Sequence, residues 1–170
     1  MEQSIKKYKL DEVKVRLALQ KGDPIYGNEE IDSPAKAVAA MAGKLAKMDR
    51  ECCCVVNLDA KGHPLNYNIV SMGDTGKTLV PMQNLFKSAL LCNASSILML
   101  HNHVSGSLQP SSFDKAVTKS VSAAAMIMNI HFLDHIIVAA GTGDYFSFRD
   151  ACPELFEGEQ QGVADMGISM

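Results

Sequence analysis

The sequence of 170 residues has no tryptophan, and aromatic residues make up only 6% of it. It has no apolar run of about 18 residues, the length at which a membrane-spanning helix becomes a candidate. The first residues, Met-Glu-Gln-Ser-Ile-Lys-Lys, lack the apolar segment of a signal peptide. We therefore expect a cytoplasmic protein with no membrane partner.

A basic excess is also missing. The 16 Lys and Arg residues are outnumbered by 19 Asp and Glu, which gives a net charge of −3. Nucleic-acid-binding domains usually carry a marked basic excess. The basic residues between Lys6 and Arg16 alternate with acidic and apolar ones, as is typical of a solvated edge strand. Composition thus argues mildly against nucleic acid as a partner.

The five cysteines form no isolated C-x-x-C pair. Cys52, Cys53 and Cys54 are consecutive, so a strand would send them to alternating faces. They cannot jointly bind a metal ion. Buried, reduced cysteines in a cytosolic protein are therefore the expectation.

Length and composition predict one compact domain. Hydrophobic residues make up 47% of the chain and charged residues 21%, which are globular values. The order of elements predicts an α/β fold, with a mixed α+β sheet flanked by helices. The predicted strands are 8–18, 51–58, 65–71, 96–101, 131–139 and 144–148, and the predicted helices are 33–49, 82–93 and one from 111. The tail from about Pro153 is predicted to fray.

The run His101-Asn102-His103, followed by Ser111 and Asp114, is the most informative feature. Its pattern is H-x-H-x7-S-x2-D. An apolar run of strand length ends at the first histidine, and side chains two apart on a strand point to the same face. A helix begins near Ser111, so Asp114 lies in its first turn and can face the histidines. Two imidazoles and a carboxylate are a zinc-ligand set that leaves a fourth position for water.

The same residues also have a simpler interpretation. Ser111 and Asp114 resemble a helix capping box, although Glu or Gln is usual at the last position. His101 and His103 would then be ordinary histidines at a strand end. For Ser111 and Asp114 alone capping is favoured, whereas the four residues together favour a metal site.

The motif resembles the signature of the JAMM (MPN-plus) metalloproteases, and its surroundings resemble the RadC-type branch found in bacteria. The resemblance covers about residues 8–150. The segments that carry it are Tyr8–Arg16, Asn66–Gly73, Ala89–His103 and Leu133–Val138. It implies a three-layer, cytidine-deaminase-like architecture. We expect one domain of this type over residues 1–150 and, from composition, a flexible tail over 151–170.

The resemblance also implies roles for five residues. His101, His103 and Asp114 would bind one Zn2+ per chain. Ser111 would help to hold the oxyanion of a tetrahedral intermediate. The family takes its general base from a glutamate on an earlier strand, and Glu51 is the candidate here. The alternative for Glu51 is a solvated charge at a strand end.

The chain departs from its bacterial relatives in two places. They usually read H-N-H-P-S-G followed by an acid or amide, whereas Val104 and Ser107 stand here in place of the proline and of that last residue. Relatives also carry a His-Pro pair before the central helix, and Val80-Pro81 lacks the histidine. The metal ligands survive both changes, which bear on substrate preference and catalytic competence.

Three functions remain open. The first is a zinc-dependent hydrolase acting on a peptide or isopeptide bond of a peptide or protein substrate. The second is a DNA-repair or mobile-element protein acting on or near nucleic acid, since RadC-type proteins carry a historical repair label. We expect no N-terminal helix-hairpin-helix domain, because the sequence has no room for one, and the contiguous His-Asn-His differs from the dispersed residues of HNH nucleases. The third is a catalytically silent metal-binding interaction module.

The remaining histidines are weaker candidates. His63 lies in a predicted hairpin turn and is expected to be exposed and inert. His131 and His135 lie near a strand. Asp134-His135 could orient a metal ligand from behind, but a structural, hydrogen-bonded histidine is the favoured interpretation.

Overall fold

A computed structural model of the protein describes residues 14–19, 30–45, 47–73, 80–139 and 142–159. The strands are β1 (Cys52–Leu58), β2 (Pro64–Met72), β3 (Ser96–His103), β4 (His131–Ala139) and β5 (Tyr145–Ser147). The helices are α1 (Pro34–Leu45), α2 (Met82–Leu91), α3 (Ser112–Ile127) and α4 (Phe148–Ala151), followed by a 3-10 helix over Pro153–Glu159.

The strands form one mixed sheet in the order β2-β1-β3-β4-β5. β3 and β4 run parallel, and the other neighbours are antiparallel. β1 is buried along its whole length and β3 along almost all of it, as expected for central strands with both faces covered. The predicted α/β fold with a mixed sheet is confirmed.

Two apolar clusters cover the two faces of the sheet. On one face, α1 packs through Ala37, Val38, Met41 and Leu45. On the other face, α2 packs through Leu85 and Phe86, and α3 packs through Val121 and Ala125. The layers are therefore helix, sheet and helix. Cys53 and Cys54 belong to opposite clusters, so consecutive cysteines do point to opposite faces.

Several predicted boundaries were wrong by a few residues. β2 begins at Pro64, because β2 is an edge strand and its first residue needs no backbone donor. α1 ends at Leu45, its last buried residue, and not near Asp49. β3 continues to His103, so both histidines of the motif lie in the strand. Of the predicted strand 8–18, residues 14–18 belong to no helix or strand, and the rest lies outside the described residues.

The prediction that the chain frays from about Pro153 is wrong for the seven residues that begin at Pro153. Pro153–Glu159 form the 3-10 helix, and Phe156 is buried. Its ring centroid lies 5.3 Å from that of Phe132, and the guanidinium carbon of Arg149 lies 3.8 Å from its centroid on the ring face. An aromatic side chain that fills a core position holds this segment in place. Residues 160–170 lie outside the described part of the chain. Among the helices described, none has the length and apolar character to cross a membrane.

Candidate metal centre

Three polar side chains converge where the end of β3 meets the start of α3. The Nε2 atoms of His101 and His103 are 2.9 Å apart. Asp114 places Oδ1 3.5 Å from Nε2 of His101 and Oδ2 3.8 Å from Nε2 of His103. The donors of a tetrahedral zinc site, at bonds of about 2.0–2.1 Å, lie about 3.3 Å apart. The observed separations bracket that value, so this group can hold one metal ion.

Burial prepares His101, and a hydrogen bond to the adjacent loop prepares His103, to bind a metal ion. Burial lowers the pKa of His101 to about 4, an effect that the attraction of Asp114 opposes and the neighbouring His103 reinforces. His101 is therefore neutral near pH 7, as a ligand must be. Nδ1 of His103 lies 2.7 Å from the carbonyl oxygen of Ser107. A carbonyl only accepts, so in the neutral ring Nδ1 carries the proton and Nε2 has a free lone pair.

Asp114 is held by the helix cap. The backbone nitrogen of Ser111 donates to Asp114 Oδ2 at 2.7 Å, and its hydroxyl donates to the same oxygen at 2.6 Å. The backbone nitrogen of Asp114 donates in return to the Ser111 hydroxyl at 3.1 Å. The capping box is therefore present. The capping and metal interpretations are compatible, because the cap engages Oδ2 and Oδ1 faces His101.

The same cap constrains the expected role of Ser111. Its hydroxyl donates to Asp114 in this structure. Ser111 also borders the cavity, whose volume is about 460 Å³, that contains the three ligand side chains. An oxyanion role requires the hydroxyl proton to turn from Asp114 toward the substrate, which a freely rotating hydroxyl can do.

Glu51 lines the same cavity, one residue before β1. In the antiparallel pairing of β1 with β3, Cys53 lies opposite His101. Glu51 is two residues before Cys53, which places it on the face that carries both histidines. Glu51 is half-buried. The structure therefore brings all five predicted site residues to one cavity.

Asn102 is a residue whose contribution the sequence analysis missed. It is buried, and its side chain points to the opposite face from the two histidines. Its Oδ1 accepts from the backbone nitrogen of Cys52 at 2.8 Å, and its Nδ2 donates to the backbone carbonyl of Arg50 at 3.1 Å. These bonds bracket Glu51. A polar residue inside an otherwise apolar buried strand was the available signal.

His135 is buried and hydrogen-bonded, in agreement with the favoured interpretation, and one of its partners is a candidate metal ligand. Its Nε2 lies 2.7 Å from Nδ1 of His101, and its Nδ1 lies 2.7 Å from the hydroxyl of Thr118. Asp134 faces away and accepts hydrogen bonds from the hydroxyl of Ser147 and the backbone nitrogen of Arg149. The pair thus divides between two faces of β4, and only the histidine touches a candidate ligand.

The rest of the cavity has an apolar wall and a polar rim. The apolar wall comes from Cys53, Val80, Met99, Phe113 and Val117, and the polar rim includes Ser105, Ser107, Gln109 and Ser112. Within the described part of the chain, no lysine or arginine lines it. Burial raises the pKa of the Cys53 thiol well above its usual value, so this wall carries no thiolate near pH 7.

A family model described as RadC-like JAB domain matches residues 31–153 of the chain. The chain belongs to the RadC-like JAB domain family. All five residues of the candidate site lie within the matched segment. The matched segment therefore contains the whole sheet, the helices on both of its faces and the H-x-H run.

Curated bacterial relatives agree with this assignment. A UPF0758 protein of Thermosynechococcus vestitus is 38% identical over 132 residues, which cover 78% of this chain and 52% of the relative. One from Rubrobacter xylanophilus is 37% identical, with coverages of 73% and 53%. One from Actinobacillus pleuropneumoniae serotype 5b is also 37% identical, with coverages of 72% and 54%. The RadC-like chain thus spans about half the length of the curated relatives it matches.

The loop that departs from the RadC pattern keeps its contact with the metal centre. Ser107 contributes its backbone carbonyl to His103, an interaction that does not depend on the side chain. Gly106 adopts a φ of 73°, which favours glycine, and its nitrogen donates to the carbonyl of His103 at 3.0 Å. Val104 is exposed. The backbone of the loop therefore orients His103 with valine, and not proline, at position 104.

Proposed function

We propose that this RadC-like JAB domain is a zinc-dependent hydrolase of the JAMM metallopeptidase type. In this proposal a metal-activated water attacks the carbonyl of a peptide or isopeptide bond. The observation that carries it is the convergence of His101, His103 and Asp114, with their ligand atoms within 4.8 Å, in a cavity that also holds Glu51. Three protein ligands leave one position for water, as in catalytic zinc sites. Imidazole and carboxylate donors suit zinc best among the common cations.

In this proposal each residue near the metal ligands has its own role in the hydrolysis. A zinc ion held by His101, His103 and Asp114 would supply a water with a pKa near 7 and would polarise the scissile carbonyl. Glu51 accepts a proton from the attacking water and returns it to the leaving amine. The Ser111 hydroxyl, at the rim beside Asp114, donates to the developing oxyanion. Asn102 holds the backbone on both sides of Glu51.

The charges of the cavity favour a peptide over a phosphodiester. An anionic phosphodiester would meet the carboxylates of Glu51 and Asp114 with no lysine or arginine from the described lining. A zinc ion held at this site would be balanced by these two carboxylates, so no net positive charge would face the phosphodiester. A neutral amide does not need a net positive charge. The apolar wall of Met99, Phe113 and Val117 can accept an apolar side chain of a peptide.

The test compares zinc-loaded protein on three substrate classes: a quenched peptide library, isopeptide-linked peptides and DNA oligonucleotides. We expect cleavage of a peptide or isopeptide bond that a chelator abolishes and added zinc restores. Elemental analysis should give one zinc per chain. Asp114→Ala should lose the zinc.

Glu51→Gln is the matched control, because it keeps the ligands and removes the base. It should bind zinc stoichiometrically and lose activity by about 10²–10⁴-fold. Cleavage of DNA but not of peptides would assign the chain to nucleic acid chemistry. Stoichiometric zinc with no cleavage by the wild-type protein would indicate a metal-binding interaction module.

A further inference from the structure

A chain of three hydrogen bonds runs from one candidate ligand to the backbone of another. Nδ1 of His101 lies 2.7 Å from Nε2 of His135. Nδ1 of His135 lies 2.7 Å from Oγ1 of Thr118, and that hydroxyl lies 2.7 Å from the backbone carbonyl of Asp114. His101, His135 and Thr118 are all buried. The chain joins β3, β4 and α3 behind the metal centre.

The donor and the acceptor in each of these three hydrogen bonds follow from the last acceptor, the backbone carbonyl of Asp114. The carbonyl of Asp114 can only accept, so the single hydroxyl proton of Thr118 is donated to it. The Thr118 oxygen is then left to accept from Nδ1 of His135. His135 is 2% exposed and its ring stacks on Phe148 at 4.5 Å between centroids, an apolar setting that keeps it neutral.

A neutral imidazole has only one N–H group. Because Nδ1 of His135 carries that proton, its Nε2 is an acceptor. His101 must therefore donate from Nδ1, which leaves a lone pair on its Nε2. That is the atom that faces His103 and Asp114.

We propose that Thr118 and His135 are positioning residues that set the tautomer of His101 before any metal binds. The inference rests on the proposed metal site, whose two histidines are then oriented by different means. His103 is oriented by a carbonyl of the adjacent loop. His101 is oriented by the buried series of hydrogen bonds through His135 and Thr118, which we call the relay. The relay ends on the backbone carbonyl of Asp114. It therefore orients one histidine ligand and also contacts the helix turn that carries the carboxylate ligand.

The first test reads the tautomers directly in metal-free protein. Two-dimensional NMR that correlates ring nitrogens with ring carbon-bound protons distinguishes Nδ1–H from Nε2–H histidine. We expect the Nδ1–H form for His101 and His135, and a proton on Nδ1 of His103. Thr118→Val keeps the β-branched shape and removes the hydroxyl. His135 should then change to the Nε2–H form and donate to His101, which forces His101 into the Nε2–H form.

His103 serves as an internal control, because its carbonyl partner is untouched and its tautomer should not change. Ser120→Ala is the matched variant. Ser120 donates to the backbone of Ala116, four residues earlier on the same helix, but it is exposed and outside the relay. Thr118→Ser retains the hydroxyl and should restore the wild-type spectrum.

The second test measures zinc affinity with a competing chelator. Removal of a residue that orients a ligand from behind typically weakens metal affinity by about 10–100-fold. Thr118→Val should show that loss, whereas Thr118→Ser and Ser120→Ala should bind like wild type. An Nε2–H tautomer of His101 in metal-free wild-type protein would overturn the inference. So would a Thr118→Val protein with unchanged tautomers and affinity.

The two proposals fail in different ways. Because the tautomers are read without metal, a zinc-loaded protein that cleaves no peptide leaves the relay intact and refutes only the peptidase. If Thr118→Val does not fold by circular dichroism, His135→Gln replaces it. The glutamine side chain offers an acceptor to His101 and a donor to Thr118, so His101 should keep its Nδ1–H form, and His135→Leu should lose it.

Discussion

The side-chain oxygen of Asn102 accepts a 2.8 Å hydrogen bond from the backbone nitrogen of Cys52. The amide nitrogen of the same side chain donates to the carbonyl of Arg50. One buried amide between the two histidines thus holds the segment that carries Glu51. Together with the pairing of β1 and β3, Asn102 therefore fixes the backbone that carries the proposed base relative to the proposed metal ligands.

Asn102→Ala should reduce peptidase activity more than zinc binding. We call the two hydrogen bonds of Asn102, to the Cys52 nitrogen and the Arg50 carbonyl, the clamp. Loss of the bond to the buried Cys52 nitrogen should lower the free energy of unfolding by about 1–3 kcal/mol. A misplacement of Glu51 by about 1 Å can lower the rate about 100-fold. Steady-state kinetics and chelator competition measure the two effects separately.

A double-mutant cycle tests whether Asn102 affects the activity through Glu51. If Asn102 acts through Glu51, Asn102→Ala should have little further effect on activity in a Glu51→Gln background. Equal losses in both backgrounds would contradict the clamp. Asn102→Asp keeps the acceptor for Cys52 but not the donor for Arg50, and its activity should lie between the wild type and the alanine variant.

Ser111 has two roles that substitutions can separate. Ser111→Ala removes the helix cap and should lower the free energy of unfolding by about 1 kcal/mol. Ser111→Gly should lower it by only a few tenths of a kcal/mol. Both variants lack the hydroxyl and should lose about 10²–10³-fold in kcat if it stabilises the oxyanion. Urea denaturation and kinetics on both proteins test this. A glycine variant with wild-type kcat would remove the oxyanion role and leave only the cap.

Metal-free protein should lose stability as the pH falls through the range below neutrality. Burial lowers the pKa of His101 from 6.5 to about 4, and burial also lowers the pKa of His135. Between pH 6.5 and about 4 these histidines are protonated in the unfolded chain but neutral in the native state. Proton binding therefore favours the unfolded state as the pH falls. His101 alone contributes up to about 3 kcal/mol.

Urea denaturation at several pH values between about 7.5 and 5 measures this slope before most carboxylates titrate. His101→Gln should reduce the slope and leave the part that His135 contributes. Ser120→Ala, an exposed change that removes no titratable group, should leave the slope unchanged. A flat profile for the wild-type protein would show that neutral His101 and His135 contribute nothing to stability.

Phe156 should be needed for stability although it lies in a segment that the sequence predicts to fray. It is 2% exposed and packs on Phe132. Phe156→Ala should cost about 3–5 kcal/mol in the free energy of unfolding. Glu154→Ala, an exposed change in the same 3-10 helix, should stay within about 0.5 kcal/mol. Thermal unfolding compares the two, and similar melting temperatures would contradict the packing role.

Local sequence determined the parts of the site that depend on near neighbours along the chain. The two-residue spacing of His101 and His103 on an apolar strand fixes their common face. The Ser111-x-x-Asp114 spacing fixes the helix start and places the carboxylate in its first turn. The apolar runs of β1 and β3 likewise predict central strands. These features need no information about strand pairing.

Only the tertiary structure decided which distant residues meet these ligands. The antiparallel register of β1 with β3 brings Glu51 to the histidines, and the parallel register of β3 with β4 sets His135 opposite Met99, two residues before His101. Both registers are set by how the apolar faces of separate strands pack, and a shift of one residue would turn each side chain to the other face. The same long-range packing holds Phe156 in the core. Periodicity specifies which face of a strand a residue occupies, but the contacts between strands specify what that face meets.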